Sequence, residues 1–88
     1  MIKVWSDGGW EDYLYWQDQD RRTLRKINRL IQSIERGGVL SGEGKPEPLK
    51  GDLQGCFSRR INEKHRLVYR VSEENLEILG CREHYGEH

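Results

Sequence analysis

The chain has 88 residues with 15 basic and 15 acidic side chains, so its net charge is zero and a uniformly basic or acidic protein is excluded. Leu, Ile, Val and Phe supply 20 residues, enough for one small core, and we expect a single domain over residues 1–88. No apolar run is long enough to span a membrane and no signal peptide is visible, which predicts a cytoplasmic protein whose Cys56 and Cys81 are reduced thiols.

The N-terminal part of the chain predicts one strand followed by a helix. Residues 2–5 read as a short strand near a sheet edge, and Ser6 or Asp7 can cap the helix that follows. Its aromatic residues recur at helical spacing and are expected to pack in the core or between helices rather than stack on bases. They are Trp10, Tyr13 and Trp16.

A second helix is predicted from Arg21 to about Arg36, with Asp20 as its N-cap and Gly37-Gly38 at its end. One side of this helix is apolar, through Leu24, Ile27, Leu30, Ile31 and Ile34. The opposite side is basic, through Arg21, Arg22, Arg25, Lys26 and Arg29. A solvated helix face explains this basic side at least as well as a contact with nucleic acid or with an acidic partner does.

The second half predicts a long loop and three strands. The loop covers residues 39–55, and in it Pro46 and Pro48 restrict the backbone on either side of Glu47. Strands are predicted at residues 56–61, 66–71 and 76–82, joined by short turns. The order β-α-α-β-β-β predicts an α+β fold in which two N-terminal helices pack on one face of an antiparallel sheet.

The charge is unevenly distributed along the chain. Residues 1–20 carry a net charge of −4, residues 21–66 carry +7, and residues 67–88 carry −3. Within the basic middle, Arg59, Arg60 and Arg66 lie in predicted strands, where cross-strand neighbours are only about 4.5–5.5 Å apart at Cβ. This pattern favours a surface for a polyanion, although a solvated basic face remains an equal alternative.

The sequence contains no P-loop, dinucleotide fingerprint, HExxH motif or Ser-His-Asp arrangement. A carboxylate and a histidine can act as base and acid at neutral pH, and fixed cations can stabilise a phosphoryl transition state. Metal-free, cofactor-free RNA cleavage is therefore one hypothesis among several. The candidate residues are Glu47, Lys50, Arg60, Arg66, His84 and Tyr85.

Four segments taken together resemble the YoeB (Txe) branch of the RelE toxin superfamily. They are VWSDGGWEDYLYWQ, KINRLI, GKPEPLKGDLQGCFSRRINEKHRLVYRV and CREHY, and they span about residues 2–85. The resemblance implies a microbial-ribonuclease-like, RelE-like α+β fold. It also implies the toxin of a type II toxin–antitoxin module that cleaves mRNA in the ribosomal A site, in contact with 16S rRNA, and is neutralised by a YefM-like antitoxin.

The resemblance also implies roles for single residues. Glu47 becomes the general base, His84 the general acid and Arg66 the stabiliser of the phosphorane. Tyr85 is implied to lie close to the nucleotide, and the residues expected to bind the phosphate are Lys50, Arg59 and Arg60. A homodimer is expected from the resemblance alone.

The chain departs from the family pattern at two places. Cys56 precedes Phe57 where relatives usually have two aromatic residues, and Gly86-Glu87-His88 extends the chain beyond Tyr85. The sequence is also compatible with two other functions. One is a toxin of the same fold with another target, as in ParE-like gyrase poisons, and the other is a non-catalytic RNA- or protein-binding module.

Overall fold

A computed structural model describes residues 1–83 of the chain, so the predictions for His84 and Tyr85 lie outside the described residues. Its elements in chain order are β1 (Ile2–Trp5), α1 (Asp7–Gln19), α2 (Arg21–Gly37), β2 (Glu47–Pro48), β3 (Phe57–Arg60), β4 (Arg66–Ser72) and β5 (Asn75–Gly80). A 3₁₀ turn at Gly51–Leu53 connects β2 to β3. Within this part of the chain, neither helix has the length and apolar content needed to cross a membrane.

The strands form one sheet in the order β1-β5-β4-β3-β2. The predicted α+β class and the packing of both helices against the sheet are confirmed, but the sheet is mixed rather than antiparallel. β1 runs parallel to β5, with Lys3 opposite Leu76, while the other neighbours are antiparallel. The sequence pattern could not reveal this because the partner of β1 is the last strand along the chain.

Helix α2 supplies much of the core. Asp20 caps it by accepting hydrogen bonds from the backbone N–H groups of Arg22 and Thr23, as predicted from the sequence. The predicted apolar side is buried against the sheet at Ile27, Leu30, Ile31 and Ile34. Burial of each such side chain contributes about 1.5–3 kcal/mol, so this row holds α2 firmly on the strands.

Helix α1 begins at the Ser6 cap, whose hydroxyl oxygen accepts from the Gly9 N–H. Gly9 allows α1 to approach β5 closely, since a Cβ there would lie only 2.4 Å from the Ile78 carbonyl oxygen. Of the aromatic residues predicted to pack, Trp16 is in the core. Trp10 is 46% exposed and packs edge-on against Trp5, with ring centroids 5.6 Å apart. It belongs to a surface cluster and not to the core.

The segment predicted as a continuous loop over residues 39–55 is more ordered than expected, because it contains β2 and the 3₁₀ turn. Cys56 and Cys81 are both buried and unbridged, as predicted. Burial, together with the nearby Asp12 carboxylate, raises the pKa of the Cys81 thiol to about 12. That thiol is therefore protonated and unreactive at neutral pH.

Candidate active site on the open face of the sheet

The sheet has one face covered by the helices and one face that we call the open face. Strand register assigns Glu47, Ser58 and Val68 to one row across β2, β3 and β4. Arg60 and Arg66 face each other in the next row of β3 and β4. Since directly paired residues project to the same side of a sheet, and residues two apart on a strand do so as well, all five share the open face. Ser58 and Val68 are buried at its base, whereas Glu47 and Arg60 are exposed.

Glu47 is brought to this face by β2. Its row partner is Ser58, so Arg60 is its diagonal neighbour at about 7–8 Å, within reach of long side chains. The strand is anchored at both ends: the Arg60 N–H donates to the Gly44 carbonyl at 2.7 Å, and the Leu49 N–H donates to the Cys56 carbonyl at 2.9 Å. Glu47 is thus exposed but held on a paired backbone.

The approach to β2 requires a glycine. Gly44 has a φ of +95°, and a Cβ there would lie 2.8 Å from a Leu30 methyl carbon and 3.0 Å from the Arg59 Cβ. The next residue, Lys45, also has a positive φ, of +50°. These two residues turn the chain sharply into the paired strand, which sets where Glu47 enters the sheet.

Arg66 is oriented by the turn between β3 and β4. Its Nη1 donates to the carbonyl oxygens of Asn62 at 2.7 Å, His65 at 3.1 Å and Glu63 at 3.3 Å. The turn is itself fixed, because the Asn62 side-chain oxygen accepts from the backbone N–H groups of Lys64 and His65. Within residues 1–83 these contacts use only Nη1, so Nε and Nη2 of Arg66 are available to a ligand.

The cations of this face are not neutralised by carboxylates of the described residues. Arg60 and Arg66 form a directly opposed pair of like charges, which is destabilising by itself. Neither of them, nor the exposed Lys50 at the start of the 3₁₀ turn, has an ion-pair partner within residues 1–83. Arg70 differs, because Glu77 pairs with it at 2.5 Å. The unpaired cations favour binding of an anion.

Arg59 is not part of this cation group, which corrects the expectation that it binds phosphate. Its side chain is 0% exposed and points away from the open face, because it alternates with Ser58 and Arg60 along β3. Its Nε donates to the Tyr69 hydroxyl at 2.9 Å. The other guanidinium nitrogens donate to the Ser33 hydroxyl and to the carbonyl oxygens of Gly38, Val39, Ser41 and Glu43.

These contacts give Arg59 a structural position. Six neutral acceptors surround one guanidinium, so the buried charge is hydrogen-bonded without a carboxylate. Tyr69 extends the network by donating to the Val39 carbonyl at 2.6 Å. Burial raises the pKa of Tyr69, although its bond with Arg59 opposes the rise. Arg59 therefore holds the chain between α2 and β2 against the core.

The stretch that follows β5 is fixed by α1. The backbone N–H of Cys81 donates to an Asp12 side-chain oxygen at 3.0 Å, and the Cys81 carbonyl accepts from the Trp16 indole N–H at 2.8 Å. One residue later, the Arg82 guanidinium lies 3.6 Å from the centroid of the Tyr15 ring. The end of the described chain is therefore packed onto α1 and not free.

The same stretch is fixed from the other side by β4 and the turn before it. The Glu83 N–H donates to Nδ1 of His65 at 2.7 Å, and the Arg66 N–H donates to the Glu83 carbonyl at 3.0 Å. We call the four hydrogen bonds to the backbones of Cys81 and Glu83 the C-terminal clamp. No function for His65 could be predicted from the sequence, because the Glu83 N–H that it binds lies 18 positions further along the chain. Only its neighbour Arg66 was predicted to belong to the site.

The arrangement thus combines a carboxylate, two unpaired guanidinium groups and a clamped chain end beside Arg66. It can bind an anionic group over the open face and place a base next to it. Residues 1–83 contain no group of three or more His, Cys, Asp or Glu side chains suited to holding a metal ion. His84 and Tyr85, the other two predicted catalytic residues, lie outside the described residues.

Comparison with known structures first defines the class. The chain matches the YoeB/ParE toxin from Agrobacterium tumefaciens with a TM-score of 0.92 and 50% identity, over 97% of this chain and 100% of that one. It also matches the YoeB dimer from Staphylococcus aureus with a TM-score of 0.91 and 47% identity, over 97% and 98% of the two chains. The S. aureus protein has been solved in complex with YefM as well. The fold is therefore that of a RelE-like bacterial toxin.

Sequence comparison then gives the family. A family model described as the YoeB-like toxin of bacterial type II toxin-antitoxin systems matches residues 5–85. Toxin YoeB of Escherichia coli K12 is 54% identical over 85 residues, which are 97% of this chain and all of the relative. The chain belongs to the YoeB-like toxin family. The resemblance inferred from the sequence motifs is confirmed.

Proposed function

We propose that this toxin is a ribosome-dependent endoribonuclease that cleaves mRNA in the ribosomal A site and so inhibits translation in the cytoplasm. The observation that carries the proposal is the grouping of Glu47 with Arg60 and Arg66 on the open face, where the cations have no carboxylate partner within residues 1–83. A phosphodiester supplies the missing anion, and Glu47 supplies a base beside it.

The proposed reaction uses the RNA's own 2′-hydroxyl as nucleophile. Glu47 takes its proton while the oxygen attacks the adjacent phosphorus. Arg66, with Arg60 and Lys50, stabilises the added negative charge on the phosphorane through charge-assisted hydrogen bonds. His84 gives a proton to the departing 5′-oxygen, and Tyr85 lies against the nucleotide. The products are a 2′,3′-cyclic phosphate, which can open to a 3′-phosphate, and a 5′-hydroxyl.

The anchoring of Arg66 supports its role in this reaction. A guanidinium held by three turn carbonyls keeps its position as charge develops, so little reorganisation is needed in the transition state. For Glu47 the support is at the backbone, through the pairing of β2 with β3. Proton transfer by a positioned group typically contributes about 10²–10⁴-fold to a rate.

The test is single-turnover cleavage of mRNA in a programmed ribosome by toxin that has been stripped of metal with EDTA before mixing. We expect cleavage in the A site and a 5′-hydroxyl on the downstream fragment. A 5′-phosphate there would exclude attack by the 2′-hydroxyl. Intact mRNA together with growth arrest on expression would instead favour a gyrase-type target, and tolerated expression would favour a non-catalytic binding module.

We also propose that a YefM-like antitoxin neutralises this toxin, and that an acidic segment of it covers the open face. The S. aureus relative solved with YefM supports this partner. The free guanidinium donors of Arg66 suit carboxylates, which arginine binds in a bidentate geometry. The YoeB dimer from S. aureus supports a homodimer of this chain. Copurification from the native operon and sedimentation over a concentration series test the two assemblies.

A further inference from the structure

His65 is the one side chain of the C-terminal clamp that contacts Glu83. Because Nδ1 accepts the Glu83 N–H, the imidazole in this arrangement is neutral and carries its proton on Nε2. The ring is held in place by its edge-on contact with Trp16, whose centroid lies 4.8 Å away. Its backbone is held too, since the Asn62 side chain accepts from the His65 N–H at 2.8 Å. The position of Nδ1 is therefore set by contacts other than the one with Glu83.

Glu83 needs such a contact. Its φ is +69°, in the left-handed region that residues other than glycine seldom occupy. A residue persists there only when its surroundings determine its conformation, and here the two bonds to residues 65 and 66 do so. The Glu83 carbonyl that accepts from Arg66 belongs to the peptide group that joins Glu83 to the next residue. That next residue is His84.

We propose that His65 is a positioning residue, whose neutral imidazole fixes the Glu83 backbone beside Arg66, at the point from which the chain continues to His84. This inference rests on the proposed function, because the acid role of His84 is part of it. His65 itself does not touch the reacting atoms in this scheme. It acts through the backbone, and its role is separate from that of the Arg66 guanidinium.

The hydrogen bond between Glu83 and His65 depends on pH. A proton on Nδ1 would place a donor against the Glu83 N–H donor, so the hydrogen bond is lost when the imidazole becomes charged. Burial is the main cause that lowers the pKa of His65, and Lys64, Arg82 and Arg66 lower it further while the Glu83 carboxylate raises it. Helix α1 contributes the Trp16 ring at this place, which does not titrate.

The sign follows from the direction of the shift. The pKa of His65 in the folded protein lies below its ordinary value of 6.5, so the folded state favours the neutral ring. The contribution to folding stability is fully present above about pH 6.5 and is lost as the pH falls through the lowered pKa. The His65 bond of the clamp is therefore intact at neutral pH and is lost on acidification.

Two substitutions distinguish the effect of the Nδ1 acceptor from the effect of the aromatic ring. His65→Asn keeps an oxygen near the position of Nδ1 but removes the ring and its titration. His65→Phe keeps the ring against Trp16 but removes the acceptor. If the hydrogen bond to Glu83 is what matters, the Asn variant retains function and the Phe variant loses it. A role in core packing alone predicts the opposite order.

The structural measurement is amide NMR of the full-length toxin. We expect the Glu83 amide of the wild-type protein to be protected from hydrogen exchange and its chemical shift to titrate together with the His65 ring, with a midpoint below pH 6.5. The Phe variant should lose that protection. An unprotected Glu83 amide in the wild type, or one that ignores the ring titration, would overturn the proposal even if the Phe variant does not fold.

The kinetic measurement is single-turnover mRNA cleavage on programmed ribosomes. Misplacement of a group by about 1 Å can cost about 100-fold in rate, and we expect a loss of that size for the Phe variant with ribosome affinity unchanged. The Asn variant should stay within about tenfold of the wild type and lose the acid limb that His65 adds to the pH profile. Equal cleavage by the Phe variant and the wild type, or equal losses in both variants, would overturn the proposal.

The two measurements distinguish this inference from the proposed function. A wild-type toxin that cleaves no mRNA defeats the proposed function, and the NMR data still decide whether His65 holds Glu83. A wild-type toxin that cleaves normally while the Phe variant does so equally well defeats this inference alone.

Discussion

Arg59 and Arg60 are neighbours in β3, yet their guanidinium groups have opposite surroundings. Arg59 lies under the helices with all its donors occupied by neutral acceptors, whereas Arg60 lies on the open face opposite Arg66. A single step along the strand separates a buried structural cation from an exposed one that we propose binds RNA. The number of arginines in a strand therefore does not measure its capacity to bind RNA; the face on which each one lies does.

The largest effect should come from removing the buried cation. Arg59→Met removes the donor from four buried or part-buried oxygen acceptors, and each unsatisfied group costs about 1–3 kcal/mol before relaxation. They are the Tyr69 hydroxyl and the carbonyl oxygens of Gly38, Ser41 and Glu43. We expect a loss of about 4 kcal/mol or more in the free energy of unfolding, a large part of the stability of a domain this small. Urea denaturation measures it, with Arg60→Met as the matched control that should unfold nearly as the wild type does.

Arg59→Lys sharpens the same test. It keeps the charge but replaces five donors in a fixed fork by three on one nitrogen. Loss of stability in both the Met and the Lys variant identifies donor geometry as the cause. A Lys variant as stable as the wild type would show that charge, and not the shape of the network, is what the core requires.

The next largest effect should fall on catalysis, at Glu47. Glu47→Gln removes the base while leaving β2 and its pairing intact, so we expect a drop of about 10²–10⁴-fold in single-turnover mRNA cleavage. The thermal unfolding midpoint and ribosome binding should stay close to those of the wild type. Cleavage at the wild-type rate would remove Glu47 from the reaction.

Arg66→Ala should lower the cleavage rate by about 10²–10³-fold, because it removes charge stabilisation that grows in the transition state. Unlike Arg59→Met, this change should affect the rate far more than the stability, since the Arg66 side chain is partly exposed. Single-turnover rates and urea denaturation of the same preparation compare the two. A large loss of stability with little change in rate would place Arg66 with Arg59 as a structural residue.

The smallest effect should come from Arg70, the arginine of β4 that is paired with a carboxylate. Arg70 is exposed and bonded to Glu77, which is why the pKa of Glu77 is lowered and that of Arg70 raised. Exposed pairs of this kind contribute little to stability. Arg70→Ala should leave both the unfolding midpoint and the cleavage rate nearly unchanged. A marked loss of cleavage would extend the candidate site along β4.

The helices and the family could be predicted from the sequence because their signals are local or contiguous. The Asp20 cap and the apolar row of α2 repeat at fixed spacing, and the GKPEPLK and SRRI motifs are short. The grouping of Glu47 with Arg60 could be inferred only through the motifs, since β2 has two residues and shows no strand pattern of its own.

The remaining features depend on contacts between distant parts of the chain. Arg59 could not be recognised as buried, because a charged residue is seldom found without solvent or an ion-pair partner, and its acceptors are backbone carbonyls. His65 showed no signal because its partner is a backbone N–H beyond β5. The parallel pairing of β1 could not be predicted either, because its partner β5 lies at the other end of the chain.

The pairing of β1 with β5 also sets an order on how the protein is made. The first strand to leave the ribosome is β1, and its partner residues 75–78 are synthesised near the end of the chain. β1 can therefore join the sheet only after β5 has been made. A product shortened anywhere before β5 lacks both that pairing and the clamped stretch after it. Translation that stops before β5 therefore yields no chain with this five-stranded sheet.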